Sequence, residues 1–226
     1  MKEQISLRRD YIKVQRRQGK EVTYGGNQNF FAKREMDSDK GIKQQSGCGL
    51  IALLDLCLYL AAHTNIHEEQ YVGYFDRLYD FYGGIRHNIG ISGIGMAKCF
   101  NKIMKRNKMH FRAKWGLKGN KMHARIIEML SNDIPVVLCI PQMVLKKDKD
   151  DLLNLYEADD MECKVACRTN AHYVMVTAIV SLDNEEYYKI SSWGKKYFIS
   201  VKEYDSYMKH HFLGTILGNV LYVQKK

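Results

Sequence analysis

A single cysteine lies at the N-terminal end of the most hydrophobic segment of this 226-residue chain. Cys48 follows the polar stretch QQSG, and Gly49 and the apolar run 50–62 come after it. A run that is apolar on almost every face predicts a buried helix. The first turn of a helix has unpaired backbone N–H groups and a partial positive charge, which favour a thiolate over a thiol. Cys48 is therefore a candidate nucleophile.

A nucleophilic cysteine needs a base, and the base needs a group that orients it. The chain has eight histidines. His172 differs from the others because it opens an otherwise apolar, strand-like segment directly after the polar turn 168–171. An imidazole at the edge of a core strand can meet a helix N-terminus across a cleft. We therefore interpret His172 as the candidate base for Cys48.

Acyl transfer also requires hydrogen-bond donors for the oxyanion that forms on the attacked carbonyl. The backbone N–H of Cys48, at the start of the helix, is one candidate. The side-chain amides of Gln44 and Gln45 are candidates for the second donor, since both precede the cysteine closely. We expect neither a cofactor nor a metal in this chemistry.

Four segments in this order resemble the papain-like cysteine peptidase superfamily: SGCGLIALLDLCLYL, IPVVLCI, AHYVMVTAI and YYKISSWGKKYFISV. The resemblance covers about residues 40–205 and is greatest to the bacterial branch that includes the double-glycine leader peptidases. In that branch a Cys-Gly begins the central helix and the histidine opens a later strand. The resemblance implies a thiol hydrolase, either a cysteine peptidase or a related amidase or acyltransferase. It implies a peptide or protein substrate, with Cys48 as nucleophile and His172 as base.

One departure from the family concerns the group that orients the histidine. Papain-like enzymes use the asparagine of an Asn-Ser-Trp-Gly segment, and Ser191 stands at that position here. A serine hydroxyl can accept a hydrogen bond from an imidazole N–H, but it is short and uncharged. This departure favours an alternative interpretation, a catalytically degenerate papain-like fold that binds a peptide or protein partner without cleaving it.

A second departure concerns the oxyanion glutamine, which the family places a short distance before the cysteine. This chain has Ile42 at that position. Gln44 and Gln45 lie closer to the cysteine and would have to reach the site by a different loop path. Asn27 and Gln28 are further alternatives for the same role.

Hydrophobic periodicity predicts the elements that must position these residues. Helices are expected over 49–62, 66–82, 94–107 and 120–131, and strands over 134–141, 172–180, 186–191, 196–201 and 215–223, with a polar, acidic connection over 146–162. Helices followed by strands predict an α+β fold, with a central buried helix packed on a mostly antiparallel sheet. With the resemblance, we expect one papain-like domain over 41–226 after an N-terminal arm over 1–40.

Composition limits the classes of protein and of partner. The net charge of +10 indicates a surface that can attract an anionic partner, but no nucleic-acid-binding motif accompanies it. The apolar run 50–62 is too short to span a bilayer, which needs roughly 20 residues. Six scattered cysteines and the lack of an apolar leader favour a reduced, cytoplasmic protein. Cys163 and Cys167 lack the second ligand pair of a zinc site.

Overall fold

The structure, a computed structural model, describes residues 2–16, 21–31, 43–44, 46–83, 90–116, 121–141, 152–159, 162–210 and 219–226. These residues form a mixed α+β fold with five α-helices, and every strand pair of the largest sheet is antiparallel. The predicted α+β class is confirmed.

The helices are α1 (Cys48–Leu60), α2 (Glu68–Tyr82), α3 (Gly93–Arg106), α4 (Met122–Ser131), α5 (Val201–His210) and a short 3₁₀ helix (Gln28–Phe31). The strands are β1 (Lys2–Ser6), β2 (Lys13–Gln15), β3 (Val22–Tyr24), β4 (Asn65–His67), β5 (Phe111–Trp115), β6 (Val136–Ile140), β7 (Leu153–Asp159), β8 (Glu162–Thr169), β9 (His172–Leu182), β10 (Glu185–Ser192), β11 (Lys195–Ser200) and β12 (Leu221–Lys225).

Helix α1 is the centre of the hydrophobic core. Its residues from Gly49 to Leu56 are all buried, as its nearly uniform apolar sequence predicts. It packs against β9 and β6 of the sheet and against the helices α2 and α3. This burial on several sides holds the start of α1, and with it Cys48, against the beginning of β9.

Strand β9 pairs with three other strands of the seven-stranded sheet formed by the described residues. Strands β1 and β6 pair with successive stretches of one of its sides, and β10 pairs with the other. Strands β11, β7 and β8 follow β10 in that order. His172 is the first residue of β9 and pairs with Ile140 at the end of β6, so the imidazole lies at the margin of the sheet.

Two tight hairpins connect β9 to β10 and β10 to β11. Both central residues of each turn have positive φ: Asp183 at 50° and Asn184 at 64°, then Trp193 at 48° and Gly194 at 74°. Such two-residue turns match the right-handed twist of the flanking strands. The second turn places a tryptophan in a backbone conformation that bulky residues rarely adopt.

The described part of the predicted N-terminal arm pairs with strands of the rest of the chain. Strand β1 pairs with β9, and β2 lies between β3 and β4 in a small separate sheet. Ile12 and Val14 are fully buried. The sequence predicts a separate arm because its short strands are polar on their exposed sides, and their pairing with distant strands leaves little local signal.

Other elements differ from the prediction along the second half of the chain. The acidic connection predicted over 146–162 is replaced in its described part by β7, which pairs antiparallel with β8. Helix α5 and strand β5 were not predicted. Tyr204 of α5 donates a 2.5 Å hydrogen bond to the carbonyl of Cys139, so this helix is held on β6. Of the strand predicted over 215–223, residues 215–218 lie outside the described residues, and in the part that is described β12 runs from Leu221 to Lys225.

Replacing Leu53 with alanine tests the central position of α1. Leu53 is fully buried, so removing its side chain should lower the free energy of unfolding by roughly 2–5 kcal/mol. Leu60, half-buried in the last turn of the same helix, is the matched control. Urea unfolding should show a clearly smaller loss for Leu60→Ala, and equal losses would contradict the packing described here.

Candidate Cys-His site

Cys48 and His172 line the same small cavity between the start of α1 and the start of β9. The cavity has a volume of about 20 Å³, which is room for about one water molecule. Its polar lining comes from four parts of the chain and consists of Gln28, Cys48, Asp55, His172, Ser191 and Ser192. The structure thus brings the two residues predicted to carry the chemistry to one place.

Burial has the largest effect on the pKa of the Cys48 thiol. Burial raises its pKa above the ordinary value, while the backbone N–H groups of Tyr173, Gly49 and Cys48 itself act in the opposite direction. The helix start therefore favours the thiolate, as expected from the sequence, but desolvation of the charge is the larger effect. In the resting site the cysteine is a neutral thiol at neutral pH.

The His172 imidazole is held on two sides. Its Nε2 is 2.7 Å from Oγ of Ser192, and its ring stacks on Trp193 with 4.4 Å between the ring centroids and 14° between the planes. Burial lowers its pKa to about 4, so the ring is neutral at neutral pH. Since Ser192 occupies Nε2, Nδ1 is the nitrogen left to accept a proton.

The turn after β10 determines where the Trp193 ring lies. A tryptophan at a φ of 48° costs about 1–3 kcal/mol of backbone strain. The turn brings the indole flat against the imidazole and beside the hydrogen bond between His172 and Ser192. The stacked ring shields that bond from solvent, which strengthens it.

The residue predicted to orient the histidine is displaced by one position. The hydroxyl of Ser191 donates a 2.6 Å hydrogen bond to the carbonyl of Tyr24, and the partner of His172 is Ser192. Successive side chains of a strand point to opposite faces. Of two adjacent serines, only one can therefore point its hydroxyl at the imidazole. The motif resemblance predicts Ser191 as the orienting residue, and the residue that contacts His172 is the next one, Ser192.

The four candidates for the oxyanion amide have different positions. Gln28 is buried and lines the cavity with Cys48, and its Nε2 donates a 2.7 Å hydrogen bond to the backbone carbonyl of Gln44. Gln44 thus takes part through its backbone carbonyl, which accepts the hydrogen bond from Gln28. Gln45 lies outside the described residues. Asn27 accepts a 2.9 Å hydrogen bond from the N–H of Asn29. A primary amide has two N–H groups, and the hydrogen bond to the Gln44 carbonyl is the one bond that Gln28 Nε2 makes within the described residues, so a second donor remains there.

Asp55 is a residue of the site that the sequence interpretation missed. It is 2% exposed and accepts hydrogen bonds from the hydroxyls of Tyr11 and Tyr71, at 2.8 and 2.7 Å, and from the N–H of Gly26, at 3.0 Å. Burial raises its pKa to about 6, although these bonds act to lower it. The available signal was a lone carboxylate two helical turns after Cys48 within an apolar run.

A scan against protein-family models and searches of curated proteins and of solved structures found no match for this chain. Within the described ranges, no three His, Cys, Asp or Glu side chains are grouped so that they can hold a metal ion. None of the described helices is both long and apolar enough to cross a membrane.

Two buried groups of the site should couple folding to pH in opposite directions. Asp55 has a folded pKa of about 6 against an ordinary 3.8, so its stabilising contribution is full below pH 3.8 and is lost as pH rises through 6. His172 has a folded pKa of about 4 against an ordinary 6.5. Its contribution is full above pH 6.5 and is lost as pH falls through 4.

Single substitutions should separate these two contributions. Relative to the wild type, Asp55→Asn should become more stable as pH rises from 4 to 6, and His172→Gln should become less stable. Each difference should change by on the order of 1 kcal/mol per pH unit. Urea unfolding at several pH values measures how the free energy of unfolding of each variant changes with pH. If it changes with pH in the same way as that of the wild type, the burial of these groups is contradicted.

Proposed function

We propose that this protein is a thiol hydrolase of papain-like fold, a cysteine peptidase or a related amidase or acyltransferase. The observation that carries the proposal is the cavity shared by a helix-start thiol and a neutral, oriented imidazole. A buried helix that begins with the cysteine and packs on an antiparallel sheet supports the papain-like part of the proposal.

The proposed reaction begins with attack of Cys48 on a substrate carbonyl. As the bond from Sγ to the carbonyl carbon forms, Nδ1 of His172 accepts the thiol proton, and the carbonyl oxygen becomes an oxyanion. The backbone N–H of Cys48 and the second amide N–H of Gln28 stabilise that oxyanion. Collapse breaks the bond to the leaving amine or alcohol, which takes the proton from His172. Water then hydrolyses the thioester with His172 again as base.

Ser192 and Trp193 support the imidazole in this proposal. When Nδ1 takes the thiol proton, Nε2–H donates to the Ser192 hydroxyl and fixes the ring's rotation. Trp193 covers one face of the ring and keeps it in the plane that this hydrogen bond requires. The serine carries no charge, so the imidazolium that forms receives less stabilisation than a carboxylate would provide.

A second candidate function is binding of a peptide or protein partner without cleavage. The specific observation in its favour is the burial that raises the pKa of the Cys48 thiol and lowers that of His172 to about 4. These shifts make the proton transfer from thiol to imidazole unfavourable in the resting site. The two functions make opposite predictions about acylation of the cysteine.

An activated ester, p-nitrophenyl acetate, tests the proposed nucleophile directly. The wild type should release one p-nitrophenolate per chain in a rapid phase, and mass spectrometry should find the acetyl group on Cys48. Cys48→Ala should lose this phase, and His172→Ala should slow it about 10²–10⁴-fold, as loss of a general base does.

Cys99→Ser removes a buried thiol elsewhere in the core and should leave the rapid phase intact. If Cys48 of the wild type is acylated no faster than free cysteine at the same pH, the hydrolase proposal fails and the binding function is favoured.

Replacing Gln28 with alanine tests the oxyanion donor. Acylation should slow by about 10²–10³-fold, which is the typical loss for one such donor. Alkylation of Cys48 by iodoacetamide passes through no oxyanion and should keep its wild-type rate. Asn29→Ala, an exposed neighbour, is the matched control. Equal slowing of both reactions would show that Gln28 acts on the thiol or on folding rather than on the oxyanion.

A further inference from the structure

We propose that Asp55 is a positioning residue that holds the oxyanion donor Gln28 in the cavity through the turn at Gly25 and Gly26. This inference rests on the function proposed above. Its basis is the hydrogen bond from the Gly26 N–H to Oδ2 of Asp55, since Gly26 lies two residues before Gln28. Gln28 begins the 3₁₀ helix that follows this turn.

The turn lies against the carboxylate with no space between them. A Cβ added to Gly25 would be 2.6 Å from Oδ2 of Asp55, and one added to Gly26 would be 2.0 Å from the hydroxyl of Tyr71. Both distances are shorter than real Cβ contacts. The glycines therefore allow the main chain to approach the carboxylate directly, and the position of the carboxylate determines the position of the turn.

The carboxylate is itself held from two other directions. Tyr11, in the N-terminal segment, donates to Oδ2, and Tyr71 of α2 donates to Oδ1. With the Gly26 N–H, three donors from separate parts of the chain converge on one buried side chain. Such a network has one low-energy arrangement, because moving any member leaves a buried polar group unpaired.

The position of Asp55 in α1 connects the two halves of the site. Asp55 lies seven residues after Cys48, which is two helical turns along the same face. One rigid helix therefore carries the nucleophile directly and locates the oxyanion donor through Asp55. Burying a carboxylate in an otherwise apolar helix is costly, and placement of the donor is a function that accounts for this cost.

Within the described part of the chain, Asp55 bonds to two tyrosine hydroxyls and one backbone N–H. Tyr11 and Tyr71 face it directly, and burial raises the pKa of both hydroxyls well above the ordinary value, so they remain donors. Cys48 from α1 and His172 from β9 line the same cavity. Loss of the Asp55 charge therefore acts on the turn rather than on a neighbouring ion pair.

The test compares acylation by p-nitrophenyl acetate with alkylation by iodoacetamide in Asp55→Asn. Acylation should slow about tenfold or more, because misplacing a catalytic group by about 1 Å can cost about 10²-fold. Alkylation should be unchanged. In the double variant Asp55→Asn, Gln28→Ala, acylation should be no slower than in Gln28→Ala alone, since the residue that Asp55 positions is already absent.

Tyr71→Phe removes one donor to the carboxylate and provides a test if Asp55→Asn does not fold. It should lower the ratio of acylation to alkylation in the same direction, by a smaller factor. Tyr222→Phe is the matched control, because Tyr222 also donates to a carboxylate, that of Glu128, away from the cavity.

The outcomes separate this inference from the proposed function. A normally acylated wild type with an unchanged ratio in both Asp55→Asn and Tyr71→Phe overturns the positioning role alone. Losses that multiply in the double variant also overturn it, because they show independent effects. A wild type whose Cys48 is not acylated overturns the proposed function and this inference with it.

Discussion

Burial of α1 is the constraint on which the rest of the structure depends. The helix is apolar on nearly every side, so it is stable only where strands, helices and the N-terminal segment cover it together. Its position in turn fixes the location of Cys48 at its first residue and of Asp55 two turns later. The sheet is arranged around the same helix, with the start of β9 bringing His172 to the same end.

The same burial determines the electrostatics of the site. A helix N-terminus supplies about half a positive charge, which favours a thiolate. Desolvation of a buried sulfur opposes this effect and is larger here, and it also keeps His172 neutral. The pair is therefore thiol and imidazole, and in the proposed reaction proton transfer must accompany the attack on a substrate. Whether the proton can pass from the Cys48 thiol to the His172 imidazole distinguishes the two proposed functions, hydrolysis and binding without cleavage.

Polar groups inside this apolar centre are organised by hydrogen bonds from distant segments. Asp55 receives donors from positions 11, 26 and 71, and His172 meets Ser192 of the neighbouring strand. Each contact satisfies a buried group that would otherwise be costly. Each also fixes the relative position of two segments that are separate in sequence, which is how a site with several supporting residues is assembled from short elements.

The sequence by itself determined the features that depend on local hydrophobic pattern. These include α1, β6, β9, the α+β class, and the positions of Cys48 at the start of a helix and of His172 at the start of a strand, because strongly apolar runs mark these elements. Tertiary structure decided the rest. The contact of His172 with Ser192 rather than with Ser191 depends on strand register, and the presence of Gln28 in the cavity depends on the path of a loop. The hydrogen bonds of Asp55 to Gly26 and Tyr11 join residues that are 29 and 44 positions apart in the sequence. No local pattern encodes such contacts, since they arise only when separate segments compete for the same buried space.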